Sequence, residues 1–187
     1  MEVDRDAHEV LEDHEHVEEA AESRNRLAHR AAVLVGALAA LLAIATLLGN
    51  QASEEILLNQ ELATDAYNEY QADSIKQRIG NNDSALLDAQ NLSQQAAAAR
   101  KDAQTRGARL PGLLQKAQDY QHERDAAHAT HRSYQLAEGA FQIGIVLVSI
   151  AIVARMALLA YVGGGLGAAG LLLLLNGPLQ VLPLPGR

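Results

Sequence analysis

Charge vanishes twice along the chain, and the two gaps define its organisation. Ala31 to Gly49 (AAVLVGALAALLAIATLLG) runs 19 residues without a charged side chain. At about 1.5 Å rise per residue, a helix of that length matches the roughly 30 Å hydrocarbon core of a bilayer. A cleaved signal peptide would need a short basic start, whereas 30 residues rich in acid precede this run. The pattern predicts a transmembrane helix instead.

The second gap, Gly139 to Leu175, is 37 residues with Arg155 as its only charge. As one helix it would be about 55 Å long, too long for a single crossing, so it must fold back. Gly163-Gly164-Gly165 offers one break, since residues without a Cβ weaken a helix. A tight turn near Arg155 is preferred, because it leaves two spans of crossing length near Leu136–Ala154 and Leu158–Leu175. Pro178, Pro183 and Pro185 block helix beyond them.

Between the gaps, Asn50 to Glu138 is rich in Ala, Gln, Glu, Leu and Asp and poor in β-branched residues, which favours helix over strand. The first helix should continue out of the membrane to about Ile79 and stop at Gly80-Asn81-Asn82-Asp83. A middle helix, about Ser84 to Arg106, would take Ser84 or Asp83 as its cap, and Gly107, Pro111 and Gly112 mark the next break. The returning helix, Leu113 to Glu138, should enter the second span without a linker. Ile56, Ala63 and Tyr70 stand seven apart, as do Tyr120, Ala127, Tyr134 and Phe141, the repeat that two antiparallel helices need to pack at a shallow angle. Tyr67 joins Tyr70, Tyr120 and Tyr134 as packing rather than ligand-stacking residues.

The chain thus divides into an arm (1–30), a first span (31–49), an extracytoplasmic hairpin (50–138), two further spans (139–175) and a proline-rich tail (176–187). The expected fold is an all-α membrane protein, with three transmembrane helices and a long extramembrane helical hairpin between the first and second spans. Orientation follows from basic residues near the helix ends. Arg24, Arg26 and Arg30 precede the first span and Glu54 and Glu55 follow it, so the amino terminus should face the cytoplasm. Arg155 should anchor the same side, its head snorkelling to the interface.

Composition adds exclusions. With no cysteine among 187 residues, disulfide frameworks, thiolate zinc sites and thiol nucleophiles are absent. Residues 1–23 hold ten acids and one arginine, a large part of the net charge of −8. That arm is a marginal amphipathic helix, and its sign disfavours both nucleic acid and anionic lipid as partners. His8, His14 and His16 lie among its carboxylates, but His14 and His16 stand two apart, on different sides of a helix. His128 and His131 share a helix face, with His122 or Glu123 as a third candidate ligand, yet Arg124 and Arg132 place positive charge beside them. These five histidines are weak metal candidates, and no cofactor is expected.

No phosphate-binding loop, nucleophile elbow or metalloprotease motif occurs, so no enzyme activity or small-molecule substrate is expected. Ser149, the one hydroxyl residue between Gly139 and Leu175 apart from Tyr161, is expected to bond its own helix backbone. Ala32, Gly36 and Ala40 form a small-residue ridge on the first span, and Ala160/Gly164 and Gly163/Gly167 form others on the last. Such ridges serve close helix contact, within one subunit or between copies.

The run LLAIATLLGNQASEEILLNQELATDAYNEYQADSIKQ, residues 41–77, with its Tyr70-Gln71-Ala72-Asp73-Ser74-Ile75-Lys76 motif, resembles the bacterial domain-of-unknown-function family 4337. FQIGIVLVSIAIVARMALLAY, residues 141–161, is similar as well, and the likeness covers most of the chain except Asn81–Gly112 and the tail. The sequence departs from the family pattern at Asp73, where a lysine is expected, and at Arg155, where two or more basic residues are. The resemblance implies a small bacterial membrane protein without an established activity and transfers no catalytic or ligand residue. The expectation is an inner-membrane structural or interaction component that forms a homo-oligomer with still unidentified protein partners in the lipid bilayer. An oligomeric channel or transport accessory, and a metal- or pH-responsive module built on the histidines, are the alternatives.

Overall fold

In a computed structural model the described residues form three α-helices, α1 (Val3–Ala89), α2 (Ser93–Ala154) and α3 (Ala157–Leu179). The structure describes residues 3–181, with the side chains of residue 26 and residues 28–181, and no strand occurs among the described residues. The side chains of His8, His14, His16 and Arg24, and the tail prolines Pro183 and Pro185, lie outside that set. All three helices contain stretches long and apolar enough to cross a membrane. At 87 and 62 residues, α1 and α2 far exceed an apolar crossing and must carry other segments besides.

The chain divides into two compact units, Met1–Asn50 with Thr130–Arg187, and Gln51–Ala129. In the first, α2 buries Tyr134, Ala137, Phe141, Gly144, Val148 and Ala151, at spacings alternating between three and four, and α1 buries Ala31, Leu38 and Ala45 at intervals of seven. Against these, α3 presents Gly163, Gly167, Gly170 and Gly177. The glycines are clearance for their neighbours. A Cβ at Gly163 would stand 2.7 Å from Val148 Cγ2 and 2.8 Å from the Gly144 carbonyl, and one at Gly170 would stand 2.8 Å from the Phe141 ring. Gly167 makes the same room for Leu38, and Gly177 for the Tyr134 ring.

The break between α2 and α3 falls at Arg155 and Met156, and Gly163-Gly164-Gly165 is helical. Arg155 adopts a left-handed conformation, φ 56°, and the Met156 N–H reaches back to the Ala151 carbonyl at 3.2 Å, closing the last turn of α2. At its other end α3 runs past Leu175, with Pro178 inside its final turn, and Gln180 in the left-handed region caps it by donating its N–H to the Asn176 carbonyl.

The second unit corrects the expected hairpin. Gly80-Asn81-Asn82-Asp83 does not end α1, and Gly107, Pro111 and Gly112 do not interrupt α2: there are two helices here instead of three. Gly80 is a contact residue, since a Cβ there would lie 3.1 Å from Ala103 Cβ and 3.3 Å from the Ala99 carbonyl. Gly107 likewise gives space to the Gln77 side chain. Ser84 caps nothing, its hydroxyl donating instead to the Asn81 carbonyl at 2.8 Å within the same helix. The chain turns at Gln90-Asn91-Leu92. Asn91 takes φ 60°, its N–H bonds the Asp88 carbonyl at 3.0 Å and the Leu92 N–H bonds the Leu87 carbonyl at 2.9 Å, the paired bonds of a Schellman cap.

The seam of this hairpin is built from small residues. Ala52, Ala63 and Ala66 on α1 and Ala96, Ala103, Ala117 and Ala127 on α2 are buried, while Ile56, Tyr70 and Tyr120 are half-buried. Alanine lets two backbones approach closely, at the expense of apolar area per residue. Cross-helix polar bonds supplement it: Tyr67 donates to Gln121 Oε1 at 3.4 Å, and Arg124 to Gln60 Oε1 at 2.7 Å.

Candidate functional site

Within the hairpin, one carboxylate is buried. Asp73 is 4% exposed and sits on the α1 face that Ala66 and Gly80 also occupy, seven residues away on either side. Two arginines on α2, three residues apart and so on one face, reach it. Arg106 donates to Oδ1 at 3.0 Å, and Arg109 stands 3.3 Å from Oδ2 in an ion pair without hydrogen-bond geometry. Arg106 also binds Asp102 at 2.9 Å, one turn back, and Arg109 binds Glu69 at 2.9 Å, one turn from Asp73. The hydrogen bonds Arg106 donates, to Asp102 first and then to Asp73, push its guanidinium above its ordinary value, so it stays charged at any physiological pH. Three acids and two arginines interlock across the seam. The arrangement ties a face of α1 to a face of α2 through paired charges.

A second polar cluster lies in the other unit, where the end of α3 meets α2 and α1. Asn176 and Ser133, 5% and 2% exposed, pair through Asn176 Nδ2 donating to Ser133 Oγ at 3.3 Å. Thr130 donates to the Gly177 carbonyl at 3.2 Å, satisfying one of the acceptors a helix end leaves open, and itself accepts from Gln180 Nε2 at 3.1 Å. His131 Nδ1 lies 2.9 Å from the Gly49 carbonyl. Since a carbonyl only accepts, the ring carries its proton on Nδ1. A Cβ at Gly49 would lie 3.3 Å from Glu138 Oε1, so this glycine too allows close approach.

The predicted residues are dispersed over the fold. His128 is exposed, His131 is committed to Gly49, and among the described residues no group of three His, Asp or Glu side chains converges as a metal would require. Arg26, Arg30 and Arg155 are exposed. Gly163 and Gly167 pack inside the chain, whereas Ala32, Gly36 and Ala40 face outward, with nothing within 4 Å of a Cβ at Gly36. Ser149 donates to the Ile145 carbonyl at 2.7 Å. Sequence reasoning missed Asp73, Asn176 and Ser133 as structural centres. The signals available were the acid at a motif position expected to be basic, and an Asn-Gly-Pro run at a helix end that reads first as an interruption.

A family model, described as a domain of unknown function (DUF4337), matches residues 27–180. The chain belongs to this family. The DUF4337 match takes in both polar clusters, all three apolar stretches and the Asn81–Gly112 region, and begins after the ten acidic residues of the amino-terminal arm. Comparison with curated proteins and with solved structures gives no match.

Proposed function

We propose that this DUF4337 protein is a multi-pass protein of the bacterial inner membrane. Its three-helix anchor carries an extracytoplasmic helical hairpin, and it acts as a self-associating, non-enzymatic structural or interaction component. The observation that carries the reading is the outward surface of the anchor. Val33, Leu47, Ile143, Val153, Leu158 and Leu172 are all more than half exposed, Val153 at 85%. Water would not tolerate a continuous aliphatic surface of this kind on a stable monomer, whereas a bilayer solvates it. The glycine stripe of α3, filled by Leu38, Phe141, Val148 and Tyr134, supports an anchor rather than a conduit within one subunit. The hairpin, by contrast, exposes charged side chains along both of its helices, among them Glu61, Asp65, Arg78, Asp83, Lys101 and Asp119, which supports placing it in water.

Cysteine labelling tests the topology, since the natural chain has no cysteine. An Asn81→Cys variant in intact cells should react with a membrane-impermeant maleimide from outside, and the protein should resist extraction by alkaline carbonate. Labelling confined to the cytoplasmic side, or release by carbonate, would overturn the reading.

A further inference from the structure

The hairpin uses only one side of α1. On nearly the opposite side, Ala72, Ile75, Ile79, Asn82, Leu86 and Ala89 recur at alternating spacings of three and four residues, and every one is exposed. Ile75, Ile79 and Leu86 are 58%, 53% and 62% exposed, while the buried positions of the same stretch, Asp73 and Ser84, face α2. A seven-residue repeat with aliphatic residues at its two seam positions is the pattern of a helix that pairs with another helix. Among the described residues no segment of the same chain occupies it.

We propose that this stripe is a parallel, in-register coiled-coil seam for a second copy of the same chain. The charges flanking it select that occupant. Arg78 and Asp83 stand five residues apart, one on each border of the seam, at the positions that face one another across a parallel two-stranded coil. Among the described residues neither makes an ion pair within the chain. A second copy supplies each with its opposite, giving two Arg78–Asp83 pairs about the dyad. Asn82, with both donor and acceptor, meets its own twin across the dyad, where the two amides can bond one another. Parallel alignment is also what two copies anchored in one bilayer would share, and to that extent the inference rests on the proposed membrane topology and self-association.

Single cysteines in the full-length protein, oxidised in native membranes, test it. A disulfide needs Cα atoms within about 7 Å, which only seam positions of paired copies reach. Ile75→Cys, Ile79→Cys and Asn82→Cys should each give several-fold more covalent dimer than Asn81→Cys, which is exposed but off the seam. Equal yields at all four, or dimer at Ile79 without Ile75 and Asn82, would overturn the parallel seam. Arg78→Asp placed in the Ile79→Cys background should lower the yield several-fold, and adding Asp83→Arg should restore it. A yield indifferent to either change would overturn the charge-selected register. Light scattering of the wild-type protein in detergent separates the two levels: multimers without seam crosslinks sink the seam alone, and monomers sink self-association with it.

Discussion

At the scale of single residues, two non-glycine positions carry the chain through its reversals. Asn91 and Arg155 both hold positive φ, a region that costs L-residues with a Cβ roughly 1–2 kcal/mol, with asparagine among the least penalised. Asn91→Ala should therefore destabilise the protein by about 1 kcal/mol, while Asn91→Gly should leave stability unchanged or raise it. Thermal unfolding of the detergent-solubilised protein, followed by circular dichroism, reads the difference. Glycine positions divide the same way. Gly167→Leu forces a side chain into the space Leu38 fills and should lower the melting temperature by many degrees, whereas Gly36→Leu, with open space around it, should leave the melting of the chain unaltered. Both glycines belong to four-residue ridges that look alike in the sequence. Spacing reveals that a ridge permits close approach; only the fold decides which ridge has a neighbour.

At the scale of elements, the helical character of the hairpin was legible and its punctuation was not. Gly80-Asn81-Asn82-Asp83 has the composition of a turn, yet Gly80 is spent on contact with Ala103, and the helix continues because tertiary packing outweighs a propensity penalty of about 1 kcal/mol. The true turn rests on Asn91 alone, a weaker signal than the one it displaced. Pro111 was a reasonable break for the same reason, but it is exposed within α2, where the loss of one backbone bond is tolerated. Replacing it removes that defect, so Pro111→Ala should stabilise the hairpin by up to about 3 kcal/mol, visible as a rise in melting temperature. Asp73 shows the converse case, an oddity in the motif that the sequence displayed without explaining. Lysine there would put a third cation against Arg106 and Arg109. Asp73→Lys should therefore destabilise the hairpin more than Asp73→Asn, and an equal melting temperature for the two variants would show that the two arginines do not feel a third cation there.

At the scale of the whole molecule, the three apolar stretches were readable from the absence of charge, because hydrocarbon admits few ionised groups and helices must bond their backbones internally. What charge adds is direction, and that can be tested by moving it. The hairpin is longer than the loops for which the basic-residue rule is strong, so the residues close to the span ends must dominate: Arg24, Arg26 and Arg30 on one side, Glu54 and Glu55 on the other. Reversing them together, with Arg24→Glu, Arg26→Glu, Arg30→Glu, Glu54→Lys and Glu55→Lys, inverts the bias at the first span alone. In the proposed topology Arg155 still holds the turn between the last two spans on the cytoplasmic side, so the five substitutions should yield a mixed population, with Asn81→Cys labelled from outside in only part of the molecules. Adding Arg155→Glu removes the remaining anchor and should shift most of the hairpin inward. If labelling stayed wholly external through all six changes, orientation would be set by something other than these charges, and the role assigned to Arg155 would fall with it.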